Sequence, residues 1–293
     1  VSRNKKVLSF IKKRFLYIII IGVYGVKFKL IFIVFNIVIL LSFSLIFFMP
    51  LFLLNGEYSR IFWYTNWYLP AIFVLIIGIL NAYFIRNWKL FTLLEKEDWK
   101  GLISYLEGRV YGKNNITSQN VRLLLHAYVV LSDITSMERL EKTVREKKLK
   151  VFKEQALLFG IPHLLKRAPA EMEEYFRTCL DQSCADQPWL SWNRSFALML
   201  LKRETEAKEI LLSLSEEQKD SILLLLTIYL LDSFSARDDQ AAEVVKRNRT
   251  LLRKRYNHQT WDKAVEKAKG NLEVVILIRL VDDAAKWLFE GTE

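Results

Sequence analysis

Two long apolar runs separated by a short aromatic stretch open the chain, and the remainder changes to apolar residues that recur every three or four positions. The first run, Leu30 to Leu54 (LIFIVFNIVILLSFSLIFFMPLFLL), holds no charged residue. At about 1.5 Å per residue it is long enough to cross a hydrocarbon core of about 30 Å. The second, Tyr68 to Ile85 (YLPAIFVLIIGILNAYFI), is also free of charge and carries Pro70 in its first turn, where a missing N–H costs little. Between them NGEYSRIFWYTNW couples the turn signal Asn55-Gly56 to Tyr58, Trp63, Tyr64 and Trp67, rings that favour the membrane–water boundary. The pattern predicts a two-helix transmembrane hairpin over residues 30–89, with spans 30–54 and 68–85. Each span carries one strongly polar side chain, Asn36 or Asn81. These are candidates for an interhelical contact, which contributes about 0.6–2 kcal/mol and sets helix register. A solute pathway needs ionisable or convergent polar groups, and neither span has them.

Charge fixes the orientation of the hairpin. Eleven Lys and Arg stand against one acid, Glu57, through Lys89, while the rest of the chain balances 32 basic with 31 acidic residues. The net charge of +11 therefore belongs beside the apolar spans, where it reads as membrane topology rather than nucleic-acid binding. Arg3, Lys5, Lys6, Lys12, Lys13, Arg14, Lys27 and Lys29 precede the first span, Arg86 and Lys89 follow the second, and the connection offers only Arg60. By the positive-inside rule both termini face the cytoplasm, which predicts a multi-pass protein of a bacterial inner (cytoplasmic) membrane. Residues 1–29 form a basic N-terminal segment whose stretch Phe15 to Val26 (FLYIIIIGVYGV) is too short to span. It is expected to lie in the interface on anionic headgroups. A cleaved signal peptide is the rival reading, but no small-x-small site precedes Lys27.

Residues 90–293 are expected to form a cytoplasmic all-α domain, since no stretch alternates with period two. Trp99, Leu102, Ile103 and Leu106 make a stripe after the acidic residues Glu95, Glu97 and Asp98, which suit a first helical turn. Further helices are predicted over 118–133, 137–147, 151–159 and 170–180. From Ser195 to Phe234 the pattern strengthens: Ala197, Leu200 and Leu201, a polar break over 202–205, then Ala207, Ile210, Leu211 and Leu214, then a third helix from Glu216 to Asp232. Ile222 to Leu231 in that third helix is nearly all apolar yet too short for a bilayer, which predicts a central buried helix. A terminal helix is expected over 271–289.

The short paired helices of residues 195–231, with Ala197 and Ala207 allowing close approach and a fainter echo at 95–133, resemble tetratricopeptide repeats. That resemblance implies an α-solenoid that assembles or localises a complex. The chain departs from the family in carrying Lys202 where Gly is expected between the helices, in lacking a Pro near Lys219, and in showing no clean recurrence of the period of about 34 residues. An unrelated helical bundle is the alternative.

No catalytic signature emerges, so an enzyme is not expected, nor a cofactor or a metal. His126, His163 and His258 are scattered, and no H-E-x-x-H, glycine-rich phosphate loop or G-x-S-x-G is present. Cys179 and Cys184, spaced C-x4-C without a second pair, read as two ordinary thiols of a reducing compartment. Glu171, Glu173 and Glu174 after Pro169 read as a helix start. The run VVKRNRTLLRKRY places Lys246, Arg247, Arg249, Arg253, Lys254 and Arg255 within ten residues. These are candidate lipid- or anion-binding groups, against a solvated face balanced by Asp238, Asp239 and Glu243. The function expected is a membrane-anchored scaffold or adaptor binding a protein partner through its helical domain. The alternative is a membrane-proximal sensor or a lipid- or nucleic-acid-binding module using residues 246–255, although nucleic acid is not the expected partner.

Overall fold

The computed structural model describes residues 28–53, 56–166, 168–217 and 219–290, so the segment 15–26, its flanking cations through Lys27 and the Asn55 turn position lie outside the described residues. Among the described residues all regular structure is helical, and no strand occurs. They fall into two compact units, one within Ile20–Tyr105 and one within Leu106–Glu293.

In the first unit α1 (Phe28–Leu53) and α3 (Tyr68–Arg86) are the two helices long and apolar enough to cross a membrane. They coincide with the two predicted spans. After the Asn55 position the connection is helical: Gly56–Thr65 forms a further helix, α2. Its rings pack back on α1, with Trp63 4.3 Å and Phe62 6.3 Å from Phe47, so aromatic contact holds this segment against the first span. α4 (Trp88–Glu95) and α5 (Trp99–Glu107) follow. Here the acidic residues do not share one first turn. Glu95 ends α4, Glu97 adopts a left-handed φ of 52°, and Asp98 accepts from the Gly101 N–H at 2.9 Å, so of the three acids Asp98 caps the start of α5. Apolar side chains of α1 and α3 are widely exposed, Leu45 at 74% and Val74 at 68%. Among the described residues outside 30–85 the exposed large apolar residues reduce to Leu149, Leu200 and Leu251, so nearly all the uncovered apolar surface of the described residues is on the hairpin.

The second unit opens with a π-helical turn, Gly108–Gly112, and continues through α6 (Ser118–Leu131), α7 (Ile134–Lys147), α8 (Leu149–Glu154), α9 (Ala156–Phe159), α10 (Ile161–Lys166), α11 (Pro169–Asp181), α12 (Gln187–Leu200), α13 (Glu204–Glu217), α14 (Ser221–Leu231), a 3-10 turn at Asp232–Phe234, α15 (Asp239–Arg255), α16 (His258–Ala268), α17 (Leu272–Ile276) and α18 (Ile278–Phe289). Side-chain caps mark many starts: Thr117, Asp133, Asp220 and Asp238 each accept from a backbone N–H of the first turn, and Asn257 with Thr260 closes a reciprocal capping box. The predicted helix 216–232 in fact begins at Ser221, because Asp220 captures the N–H groups of Ile222 and Leu223. The predicted terminal helix breaks at Leu277, and that over 151–159 breaks at Gln155. α16 was not anticipated as a separate helix.

Successive helices from α11 to α15 pack on one another in chain order. α14 is the centre: nine of its residues, Ile222 to Ile228 with Leu230 and Leu231, are buried, and α13, α15 and α18 surround it. Thr227 is accommodated there by donating to the Leu223 carbonyl at 2.7 Å. The stack does not run open-ended, because α17 packs back on α9. At Gly160 a Cβ would meet the Phe176 ring at 2.6 Å, so the backbone between α9 and α10 approaches α11 as only glycine allows.

Four helices, α4, α6, α11 and α12, end in one way. The residues Glu97, Ser132, Ser183 and Lys202 are left-handed, and the N–H groups of each and of the residue after it reach back to the preceding turn, as Lys202 does to Met199 at 3.0 Å and Arg203 to Leu198 at 2.9 Å. The position where tetratricopeptide repeats carry Gly is thus left-handed here although Lys202 occupies it. A side chain costs about 1 kcal/mol in that conformation, so Lys202→Gly is expected to stabilise the chain by about that amount. Thermal unfolding of the full chain in detergent measures this; Lys202→Ala should bring no gain, and a loss with Gly would refute the left-handed assignment.

Candidate functional site

The hairpin brings its two asparagines together. Asn81 Nδ2 donates to Asn36 Oδ1 at 2.9 Å, while Asn36 and Asn81 also donate to the carbonyls of Phe32 and Ile77, one turn back, at 2.8 and 3.0 Å. Phe32 against Phe84 (5.4 Å) and Phe43 stacked on Phe73 (3.7 Å) extend the contact to either side. Their amides therefore satisfy one another between two apolar helices, an arrangement that aligns the helices and offers no open polar path.

The basic run divides into two groups of different use. On α15, Arg249 and Arg253 turn inward and donate to the last carbonyls of α18: Arg253 Nε reaches Leu288 O at 2.5 Å, and both guanidiniums reach the Glu290 carbonyl. Arg249 also bonds the Trp287 carbonyl and lies 4.4 Å over the Trp287 ring. These cations satisfy acceptors that a helix C-terminus leaves open and oppose its partial negative charge. Burial lowers the Arg249 titration, with Arg253 beside it adding to the effect. Lys246, Arg247, Lys254 and Arg255 are exposed, with Leu251 47% exposed among them. Of the acids expected to balance the run, Asp238 is taken up in capping α15 and pairing with Lys208.

Several charged groups lie deeper. Glu173 is no simple helix-start charge: it is buried and pairs with Arg194 at 3.1 Å, with Arg177 at 3.8 Å and Arg203 at 3.9 Å, joining α11, α12 and the residue before α13. Glu107 accepts from Tyr128 at 2.7 Å and Arg139 at 2.8 Å beside the π-helical turn. Glu273 is wholly buried on α17 and accepts from Asn193 Nδ2 of α12 at 2.8 Å. Burial pushes its carboxyl up to about 7, opposed by the Asn193 bond and reinforced by Asp186. Glu273 Oε2 and Asn193 Oδ1 are both buried acceptors without a partner, and the proton of a neutral carboxyl supplies a donor.

The histidines stay apart. His126 is half-buried and lowered to about 4 by desolvation and Arg122, His163 stacks on Tyr175 at 4.5 Å, and His258 lies 4.2 Å from Phe289. Among the described residues no three His, Cys, Asp or Glu side chains are grouped to hold a metal. Between α16 and α18 an open groove of about 530 Å³ has Trp261, Val265 and Phe289 at its base and Asp262, Glu266 and Lys286 along it.

A family model described as "Uncharacterised Treponema protein" matches residues 136–290, more than half of the chain. The chain belongs to that family. A protein of Treponema pallidum (strain Nichols) is 26% identical over 230 residues, covering 74% of each chain. No solved structure matches. The family match takes in α11 to α18 whole, and with them the Glu173 pairs, the Asn193–Glu273 contact and the basic helix. The likeness to the Treponema pallidum protein covers more of the chain than lies between Leu106 and Glu293, so it reaches into the unit that holds the hairpin.

Asn193 and Glu273 were not singled out by the sequence, and Glu173 was expected only as part of a helix start. For Glu273 a signal existed, a lone acid in the apolar stretch Leu272 to Ile278; for Glu173 its acidic neighbours hid it. Two outcomes are expected. Arg253→Ala should cost about 1–2 kcal/mol through the freed carbonyls, whereas Lys254→Ala should cost under about 0.5 kcal/mol, measured by unfolding of the full chain; equal effects would contradict the inward role. The neutral Glu273 carboxyl contributes stability that is complete below its ordinary value of 4.5 and is lost as pH rises through about 7. The loss is about 3 kcal/mol. Glu273→Gln should remove this pH dependence, which unfolding curves across the window will read, and an unchanged slope would show that Glu273 is not its source.

Proposed function

We propose that this protein is a membrane-anchored scaffold or adaptor. In this reading α1 and α3 cross the inner membrane as a hairpin with both termini cytoplasmic, and the helical unit from Leu106 onward binds a protein partner. The observation that carries it is the division of apolar surface: the hairpin leaves its large apolar side chains uncovered, while the helical unit buries nearly all of its own. A surface of that kind is stable in lipid and not in water. Arg86 and Lys89 at the far end of α3, against Arg60 alone in the connection, support the orientation.

The likeness to tetratricopeptide repeats is supported by the chain-order stacking of α11 to α15 and by the left-handed Lys202 between α12 and α13. Because α17 returns to α9, we assign the partner surface to the groove between α16 and α18 rather than to the inner face of an open solenoid. Its apolar base and mixed-charge sides suit an amphipathic segment of another protein. The exposed cations Lys246, Arg247, Lys254 and Arg255 around Leu251 favour a second reading, in which α15 rests on anionic lipid.

Cross-linked co-purification from native membranes tests the proposal, comparing the intact chain, a chain ending at Lys89, and the intact chain with Asp262→Arg and Glu266→Arg. A stoichiometric protein partner should be lost with the truncation and reduced by the groove substitutions. Recovery of lipid alone would favour the α15 reading, and a partner retained by the truncated chain would refute the scaffold.

A further inference from the structure

α17 is a helix of five residues, Leu272–Ile276, with little to hold it locally. That length is too short to be helical alone, and Asn271 before it makes no side-chain cap. Its place depends on tertiary contacts: Leu272, Val274 and Val275 are buried, the helix packs on α9, and the Glu273 carboxyl bonds Asn193 of α12. α17 is also the link between α16 and α18. The Asn271 N–H donates to the Ala268 carbonyl at 2.8 Å and the Leu277 N–H to the Glu273 carbonyl at 3.0 Å, so both helices meet α17 with little slack. The rings of His258, at the start of α16, and Phe289, at the end of α18, lie 4.2 Å apart. α17 therefore joins the two helices at the other end of their groove, toward Glu266, Lys269 and Asp282.

Glu273 is the polar side chain of this apolar helix. Its Oε1 takes the Asn193 amide at 2.8 Å, an amide that also donates to the Trp189 carbonyl at 2.9 Å, while Glu273 Oε2 and Asn193 Oδ1 are buried without a partner. Among the described residues no cation pairs with it. α9 carries no ionisable residue, and on α12 Arg194 turns to Glu173. On α18 Arg279 is exposed, Asp283 pairs with Lys286 at 3.9 Å, and Asp282 lines the groove. The charged group that acts on Glu273 is Asp186, the exposed residue before α12, and it has the same sign. A carboxylate in this site would have lost its water for one donor, whereas a neutral carboxyl brings a donor to two idle acceptors. Burial accordingly raises its titration to about 7.

We propose that α17 is a proton-operated latch on the groove between α16 and α18: the neutral Glu273 carboxyl keeps it on α9 and α12, and ionisation of that carboxyl releases it. The groove then loosens as pH rises and lets go a segment seated there. That last step rests on the assignment of the partner to this groove, and the latch does not. Opening returns a carboxyl that titrates near 7 to its ordinary value of 4.5. The open form therefore gains about tenfold for each pH unit between those values and no more above them, so the latch is shut in acid.

Hydrogen exchange of the full chain in detergent, followed from about pH 4.5 to about pH 8 and corrected for the intrinsic rate, tests the latch. Protection of the α17 amides and of the first turn of α18 is expected to fall about 300-fold up to about pH 7 and then to level off. It should also stay at least about tenfold below that of α14 throughout, the mark of a local opening. Glu273→Gln should make the profile flat. Asp186→Asn removes the like charge at an exposed residue and should end the fall at lower pH, which keeps the test decisive if Glu273→Gln does not fold. Equal protection of α17 and α14 would show that α17 leaves only with the whole unit. A flat profile in the native chain, or a profile that neither substitution moves, would take the proton away from Glu273. Each of these overturns the latch. No partner enters the measurement, so its failure leaves the partner surface standing, and a partner found elsewhere on the chain removes only the regulatory step.

Discussion

The helical unit depends on removing α14 from water. Side chains from Ile222 to Leu231 are buried around nearly the whole circumference of that helix, and each buried Leu or Ile contributes about 1.5–3 kcal/mol relative to exposure. A helix with no polar face needs neighbours on every side. α13 and α15 supply two as chain neighbours, and α18 must come back from the end of the chain to supply another. Much of the remaining architecture serves that return: Trp287 on α18 meets Tyr229 at 5.7 Å and donates to Asp232 at 3.0 Å, while Arg249 and Arg253 of α15 hold the α18 carbonyls.

The same requirement explains why charge is found inside this unit. Returning helices bring the polar side chains of distant segments into one dry region, where each needs a partner. Asn193 and Glu273, eighty residues apart, meet in this way, and Glu173 collects guanidiniums from α11, α12 and the residue before α13. Such contacts contribute little net energy but penalise alternative packings that leave a charge alone. The left-handed ends of α6, α11 and α12 act on the same packing from the backbone side, since each turns the chain sharply enough to lay the next helix beside the last. One of those turns joins Cys179 and Cys184 through a backbone hydrogen bond of 3.0 Å.

The hairpin obeys the opposite rule. Its apolar side chains face outward, and its internal contacts include the asparagine pair and the ring pairs Phe32–Phe84 and Phe43–Phe73. Packing and hydrogen bonding rather than burial from water suit helices held together in an apolar solvent, which is the setting the proposed function gives it.

By itself the sequence determined the helical class, the two long apolar helices and nearly all of the amphipathic segments, because these follow from local periodicity and from uninterrupted apolar length. It also singled out Asn36 and Asn81, whose polarity stands alone in an apolar run, and the central place of residues 222–231. Tertiary structure alone decided the rest. Six cations in ten residues look alike in sequence, yet their angular positions around α15 turn Arg249 and Arg253 inward to a helix end that is about forty residues away. Gly56–Thr65 is helical because its rings find Phe47, and no turn signal reports that. Whether the paired helices continue as an open stack is likewise beyond local pattern, since the contact of α17 with α9 joins segments more than one hundred residues apart. Periodicity records which face of a helix is apolar; which other face covers it depends on the path of the whole chain.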